Sequence, residues 1–261
     1  MADLLYRLGI VTLRPVVLSW FKIDARGFES VPVDGPVIVA SNHISHMDPF
    51  ALERTALLMR PKVHYRFLAK AELYEKQPLA WALRKLGHIP VDRGTAAAND
   101  SLRSAREAIA QGEAVVIFPE GTVSPTFVPM RPHSGVGRLA LDTGAPVVPA
   151  GIWGTHRSMT KYRKRDLSWR RPVTIDYGPP RVYTPADGDA HAVTEEIWAR
   201  VIGEVVSARA RYPDTPAPDD WWGPPDWPLE RAGKWRPKLD KSMTPAEALA
   251  EAHAAMSGER D

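Results

Sequence analysis

His43 and Asp48 stand five positions apart in the segment SNHISHMDPF, directly after the apolar run Val37 to Ala40. On an ideal α-helix two residues at that spacing point about 140° apart, so a contact between them requires a loop or a helix start. Pro49 supplies one. Proline is disfavoured inside a helix and welcome at its first position, which lets Asp48 cap a helix containing Phe50 to Leu58. In that geometry the carboxylate holds the imidazole in one tautomer, and the other ring nitrogen takes a proton from an acceptor hydroxyl. Such pairs arise often by chance, and it is the strand-to-helix loop that gives this one weight.

A second group of residues is Phe118-Pro119-Glu120-Gly121-Thr122, at the end of the apolar run AVVIF. Open α/β sheets bind ligands in crevices at the carboxyl ends of their strands. Glycine permits close backbone approach, and Glu120 offers a carboxylate to substrate hydroxyls or to a neighbouring cation. Alone, this block reads more simply as a strand-ending turn with a solvated glutamate.

The elements that must position these residues alternate. Short apolar runs predict strands at Val37 to Ala40, His64 to Ala69, Ile89 to Val91, Ala114 to Phe118, Pro146 to Ile152 and Val173 to Tyr177. Helices are expected between them, at Leu79 to Leu86, from a cap at Asn99 or Asp100 to about Gln111, and from Thr194 to Tyr212. The class is α/β, with a mixed, largely parallel central sheet flanked by helices. Residues 1–22 are assigned to an N-terminal helix at a membrane interface. Leu4, Leu8, Val11 and Leu18 give it an imperfect stripe kinked at Pro15, and a helix packed on the core fits the same stripe equally well. Residues 23–212 form the main domain, and 213–261 a Pro/Trp-rich arm with a short helix after Thr244-Pro245.

Composition bounds the possibilities. The 261 residues suffice for one large domain, and 25% charged with 44% hydrophobic residues excludes a disordered or fibrous chain. There is no cysteine, which excludes disulfides, thiolate nucleophiles and cysteine-ligated zinc and fits a reducing compartment. The net charge is only +3, so attraction to anions must come from local clusters. The start of the chain lacks the layout of a signal peptide, and no apolar run approaches the roughly 20 residues that span hydrocarbon. His43, His46 and Asp48 lie close enough to suggest a metal-dependent hydrolase, but H-x-x-H-x-D matches no metal motif and no later ligand cluster complements it, so no metal is expected. A serine hydrolase lacks its G-x-S-x-G elbow.

Taken in order and spacing, NHISHMD, GHIPVDRG, FPEGT and VVPAGI resemble the four motifs of the glycerolipid acyltransferase family typified by bacterial 1-acyl-glycerol-3-phosphate acyltransferases, over about residues 23 to 180. FLAKAEL, Phe67 to Leu73, also looks like a family element. The resemblance implies a glycerol-3-phosphate acyltransferase-like fold and direct transfer of a fatty acyl group to 1-acyl-glycerol 3-phosphate, giving phosphatidate. His43 is then the base and Asp48 its orienter, and the donor is a thioester of coenzyme A or acyl carrier protein, with no other cofactor. Backbone amides near the histidine motif would stabilise the oxyanion. Arg93 would contact the acceptor phosphate, Glu120, Gly121 and Thr122 would line the acceptor site, and Lys70 is a further acceptor-site cation. Val123 departs from the pattern, standing where many members carry arginine, and His133 stands where lysine is frequent. Lys70, Arg131 or His133 would have to replace the missing cation, or the acceptor is glycerol 3-phosphate or another headgroup, or the chain is a non-catalytic lipid-binding protein. Intact His43 and Asp48 argue against the last.

The segment HRSMTKYRKRDLSWRR, residues 156–171, concentrates positive charge among aromatic residues. Arg157, Lys161, Arg163, Lys164, Arg165 and Trp169 are therefore assigned to contact with anionic lipids or with the phosphates of acyl-CoA. No recognised nucleic-acid motif accompanies them. The expected location is the cytoplasmic face of the cell membrane, attached peripherally.

Overall fold

The protein is described here from a computed structural model that covers residues 20–59, 65–75, 77, 80–81, 84, 88–91, 95–217, 219–223, 228–240 and 242–258. Its strands are β1 (Phe21–Arg26), β2 (Val37–Ser41), β3 (Tyr65–Lys70), β4 (Ile89–Val91), β5 (Ala114–Ile117), β6 (Val147–Trp153) and β7 (Arg171–Tyr177). Among the described residues the α-helices are α1 (Asp48–Met59), α2 (Thr95–Ala110), α3 (Gly135–Thr143), α4 (Ala190–Ala210) and α5 (Pro245–Ser257).

β2, β5 and β6 are buried at every position, as expected of strands covered on both faces, and their near-continuous runs of apolar residues are the reason. They form the centre of one sheet of order β1-β7-β6-β2-β5-β3-β4. Every pairing is parallel except β6 with β7, so β7 and β1 run against the other five strands. The mixed, largely parallel sheet flanked by helices is the expected one. Its topology brings the carboxyl ends of β2, β3, β4, β5 and β6 to one edge, together with the amino ends of β1 and β7. That edge holds both sequence motifs.

β1 was not foreseen. Phe21 and Lys22, assigned to the end of the N-terminal helix, are its first two residues, and Phe21 is buried in the core. The sequence FKIDAR alternates apolar and polar, the pattern of an edge strand with one wet face. The helical stripe at Leu4 to Leu18 lies outside the described residues, as does most of the helix expected at Leu79 to Leu86. α2 begins at Thr95, a turn before the expected cap, because Ala96 to Ala98 favour helix. Asp100 instead pairs with Arg103 one turn on. α4 likewise starts early, capped by Asp189, whose carboxylate accepts the amides of His191 and Ala192 at 2.9 Å. α4 lies so close on β6 that a Cβ at Gly151 would sit 2.2 Å from the Val205 nitrogen. Only glycine allows that approach.

Candidate active site

The loop between β2 and α1 is held by its own side chains and by those of the β6–β7 connection and the FPEGT block. Where the β2 ladder ends, Asn42 continues it, donating to the Ile152 carbonyl at 3.0 Å and accepting from the Ile152 amide at 2.8 Å. The main chain is thereby free to turn away from the sheet at His43. Ser45 donates to the carbonyls of Thr155 and Met159, and Thr160 donates to Ile44 O at 2.7 Å, so the β6–β7 connection seats the loop from one side.

Asp48 is fully buried at the start of α1. It does not cap that helix as expected. Its Oδ2 faces back along the chain, accepting the Ile44 and Ser45 amides at 2.8 Å and bonding His43 Nδ1 at 2.9 Å. Oδ1 accepts the Thr155 hydroxyl. A carboxylate offers several acceptor sites, and donors that converge upstream of it outcompete the helix amides downstream. Because Nδ1 donates to Asp48, Nε2 is left as the basic nitrogen. The His43 side chain is 16% exposed, enough for a substrate to reach it, and its ring stacks on Phe118 at 4.2 Å between centroids.

Glu120 is also fully buried, and this corrects its expected place in the acceptor site. One oxygen accepts the His43 amide at 2.7 Å and the other the Met130 amide at 2.9 Å, so the carboxylate ties the FPEGT block to the histidine loop and faces no substrate. Burial pushes its pKa up to about 8 against the pull of those two bonds and of Arg236. Gly121 has φ of 67°, and a Cβ there would lie 3.1 Å from the His133 ring. Ser124 N donates to His43 O at 2.7 Å, closing the block onto the loop.

The oxyanion donors expected near the histidine are already committed. The amides of His43, Ile44, Ser45, His46, Met47 and Asp48 go to Glu120, Asp48, Asp48, Met159 O, the Ser45 hydroxyl and Ser45 O respectively. They hold the loop rather than a substrate.

The sequence model named Acyltransferase matches residues 22–153. The chain belongs to the acyltransferase family. Among its relatives is the chloroplastic 1-acyl-sn-glycerol-3-phosphate acyltransferase BAT2 of Brassica napus, 30% identical over 145 residues, 55% of this chain and 40% of that one. The 1-acyl-sn-glycerol-3-phosphate acyltransferase of Bacillus subtilis is 29% identical over 136 residues, 52% of this chain and 65% of that one. The chain thus spans less than two thirds of the length of either. The crystal structure of the 1-acyl-sn-glycerophosphate acyltransferase PlsC from Thermotoga maritima superposes with a TM-score of 0.58 at 26% identity, over 75% of this chain and 76% of that one. The acyltransferase match ends in β6, and the β6–β7 connection and the C-terminal arm lie beyond it.

The basic segment of this family member divides into parts. Arg157, assigned to lipid or donor contact, is instead a clamp on the arm. It pairs with Asp214, donates to the Tyr212 hydroxyl at 3.0 Å and lies 3.9 Å from the centroid of Trp222. Arg163 lies over Trp221, 5.3 Å from its centroid. Lys161 turns into the site, its ammonium 2.6 Å from the Thr122 hydroxyl. Desolvation, then His43, Lys161 and Arg165, depress the pKa of His46. Lys164, Arg165 and Trp169 are exposed. Val123 is buried in the core, so the position carries no charge to the site. Lys70 ends β3 and Val91 ends β4 on the site edge, while Arg93 lies outside the described residues. Among the described residues no three His, Cys, Asp or Glu side chains are grouped to hold a metal ion.

Proposed function

We propose that this acyltransferase moves a fatty acyl group from a thioester to the free hydroxyl of 1-acyl-glycerol 3-phosphate, giving phosphatidate. The observation that carries the reading is the His43–Asp48 bond, which leaves Nε2 basic and reachable at the carboxyl edge of the sheet. Nε2 takes the proton of the acceptor hydroxyl as its oxygen attacks the thioester carbonyl. The tetrahedral adduct then collapses, the C–S bond breaks, and the thiolate leaves with the proton from the imidazolium. Asp48 stabilises the transient imidazolium. The donor is acyl-CoA or an acyl carrier protein thioester, and the relatives' names support the monoacylated acceptor.

The acceptor phosphate is assigned to Lys161, held on Thr122 beside the histidine loop, to Lys70 at the end of β3 on the same sheet edge, and, by the family resemblance alone, to Arg93. Purified protein given long-chain acyl-CoA should acylate lysophosphatidate faster than glycerol 3-phosphate, with water a negligible acceptor. Lys161→Met should raise the lysophosphatidate KM by about tenfold with little change in kcat, the mark of a lost ground-state contact. Water as sole acceptor would make the protein a thioesterase and end this reading.

We further propose that the enzyme works peripherally at an anionic membrane, at its cytoplasmic face. No helix of the described residues is long and apolar enough to cross one. Leu167 and Trp169 are about half exposed at 52% and 50%, among the exposed cations Lys164, Arg165 and Arg170. Trp169 packs edge-on against Trp20 at 5.4 Å, directly before β1. Binding to vesicles rich in anionic lipid should weaken as salt rises, and removing both apolar side chains should lower it by about tenfold. Equal binding to neutral vesicles at all salt concentrations would contradict the charge-based part.

A further inference from the structure

Beyond α4 the chain returns to the site. Gly233 N donates to Pro129 O and Arg131 N donates to Trp235 O, both at 2.8 Å, and Trp235 is buried in the core. Between those two bonds lies Met130, whose amide holds one oxygen of Glu120. Arg236 then spans the turn, donating through Nη1 to Glu120 O at 3.1 Å and through Nη2 to Arg131 O. Glu120 is gripped twice, at its carboxylate by the amides of His43 and Met130 and at its carbonyl by Arg236. A planar guanidinium serves two carbonyls at once, which a lysine ammonium does with poorer geometry.

The arm is anchored independently of this contact. The His156 ring bonds Trp222 O at 2.7 Å and Arg157 pairs with Asp214, while within the arm Arg231 Nε donates to Met256 O at 2.7 Å at the end of α5. Arg236 is therefore presented to Glu120 by a segment with several attachments of its own, and removing it leaves those in place.

We propose that Arg236 is a positioning residue for acyl transfer, acting through Glu120 to fix the main chain of His43 and hence the place of its ring. The proposal rests on His43 as the base. Charge supports it. The groups that bear on Glu120 are Asp48 of α1, which opposes its ionisation, and Arg236 of the arm, which favours it together with the His43 and Met130 amides. A carboxylate holds an amide more strongly than a neutral carboxyl does. The rate should therefore carry an ascending limb near pH 8, where Glu120 ionises, and that limb should move to higher pH when the Arg236 charge is removed.

The test uses the full-length protein with long-chain acyl-CoA and lysophosphatidate. Arg236→Ala should lower kcat by about 10- to 100-fold, the scale of a slightly misplaced catalytic group. Both KM values should stay within about threefold. Arg236→Lys should recover part of the rate, the limb near pH 8 should rise in Arg236→Ala, and it should vanish in Glu120→Gln. An unchanged kcat, or a raised acceptor KM with kcat intact, would overturn the proposal. So would a lower rate that tracks a lower melting temperature while the pH midpoint stays put, since that is a structural role alone. Absence of transfer by the wild-type protein to any acceptor is a separate result, and it would overturn the activity on which the proposal rests.

Discussion

His43→Ala is expected to lower kcat for acyl transfer by about 10²- to 10⁴-fold, the contribution of a positioned general base, while the KM for acyl-CoA changes little. The ring has two functions in the structure, and only one of them is lost cheaply. Its Nδ1 bond to Asp48 and its stacking on Phe118 at 4.2 Å orient it, and at 16% exposure its removal leaves an open notch rather than a sealed cavity. The loop itself is held by main-chain bonds that alanine keeps, from the residue 43 amide to Glu120 and from Ser124 N to the residue 43 carbonyl. Melting temperature should therefore shift by only a few degrees while activity collapses. The measurement is thiol release from acyl-CoA under saturating donor and acceptor, beside a thermal melt. An active His43→Ala protein would remove the base from the mechanism whatever the fold.

How much of this could be read beforehand depended on sequence distance. His43 and Asp48 lie within one loop, and the central strands declare themselves by unbroken apolar runs, so pair and sheet were both legible. β1 was missed because its six alternating residues follow an apolar stretch that reads as helix. The partners of the pair were not legible either. Thr155 is 107 positions from Asp48, Glu120 is 77 from His43 and Arg236 is 116 from Glu120. Local periodicity carries no record of contacts that only the parallel topology creates. The basic segment shows the same limit, since its composition is uniform while its side chains divide between arm, site and solvent. Asn42 left a trace, as an amide side chain directly after a buried strand, where a spent ladder needs a substitute donor and acceptor.

The roles of Glu120 and Asp48 follow from what each carboxylate accepts. Both are fully buried, and both accept backbone amides of the same loop. Glu120 receives the amide of His43, so it sets the path of the chain. Asp48 bonds the imidazole as well, so it is where loop geometry and proton transfer meet.

Asp48→Asn and Asp48→Ala should consequently fail in different ways. In the asparagine variant the side-chain oxygen can keep the Ile44 and Ser45 amides and His43 Nδ1, with the amide nitrogen turned to the Thr155 hydroxyl, which can reverse its donor role. The fold should survive with a modest loss. What disappears is the negative charge that stabilises the imidazolium in the transition state, and kcat should drop by about 10²- to 10⁴-fold with KM values near wild type. In the alanine variant the two amides and the Thr155 hydroxyl are left buried without their acceptor, each at a cost of about 1–3 kcal/mol. That variant should melt well below both wild type and asparagine, or not fold. The comparison separates charge from architecture. An asparagine variant with near-wild-type kcat would show that the loop needs the oxygen atoms of Asp48 and the reaction does not need its charge.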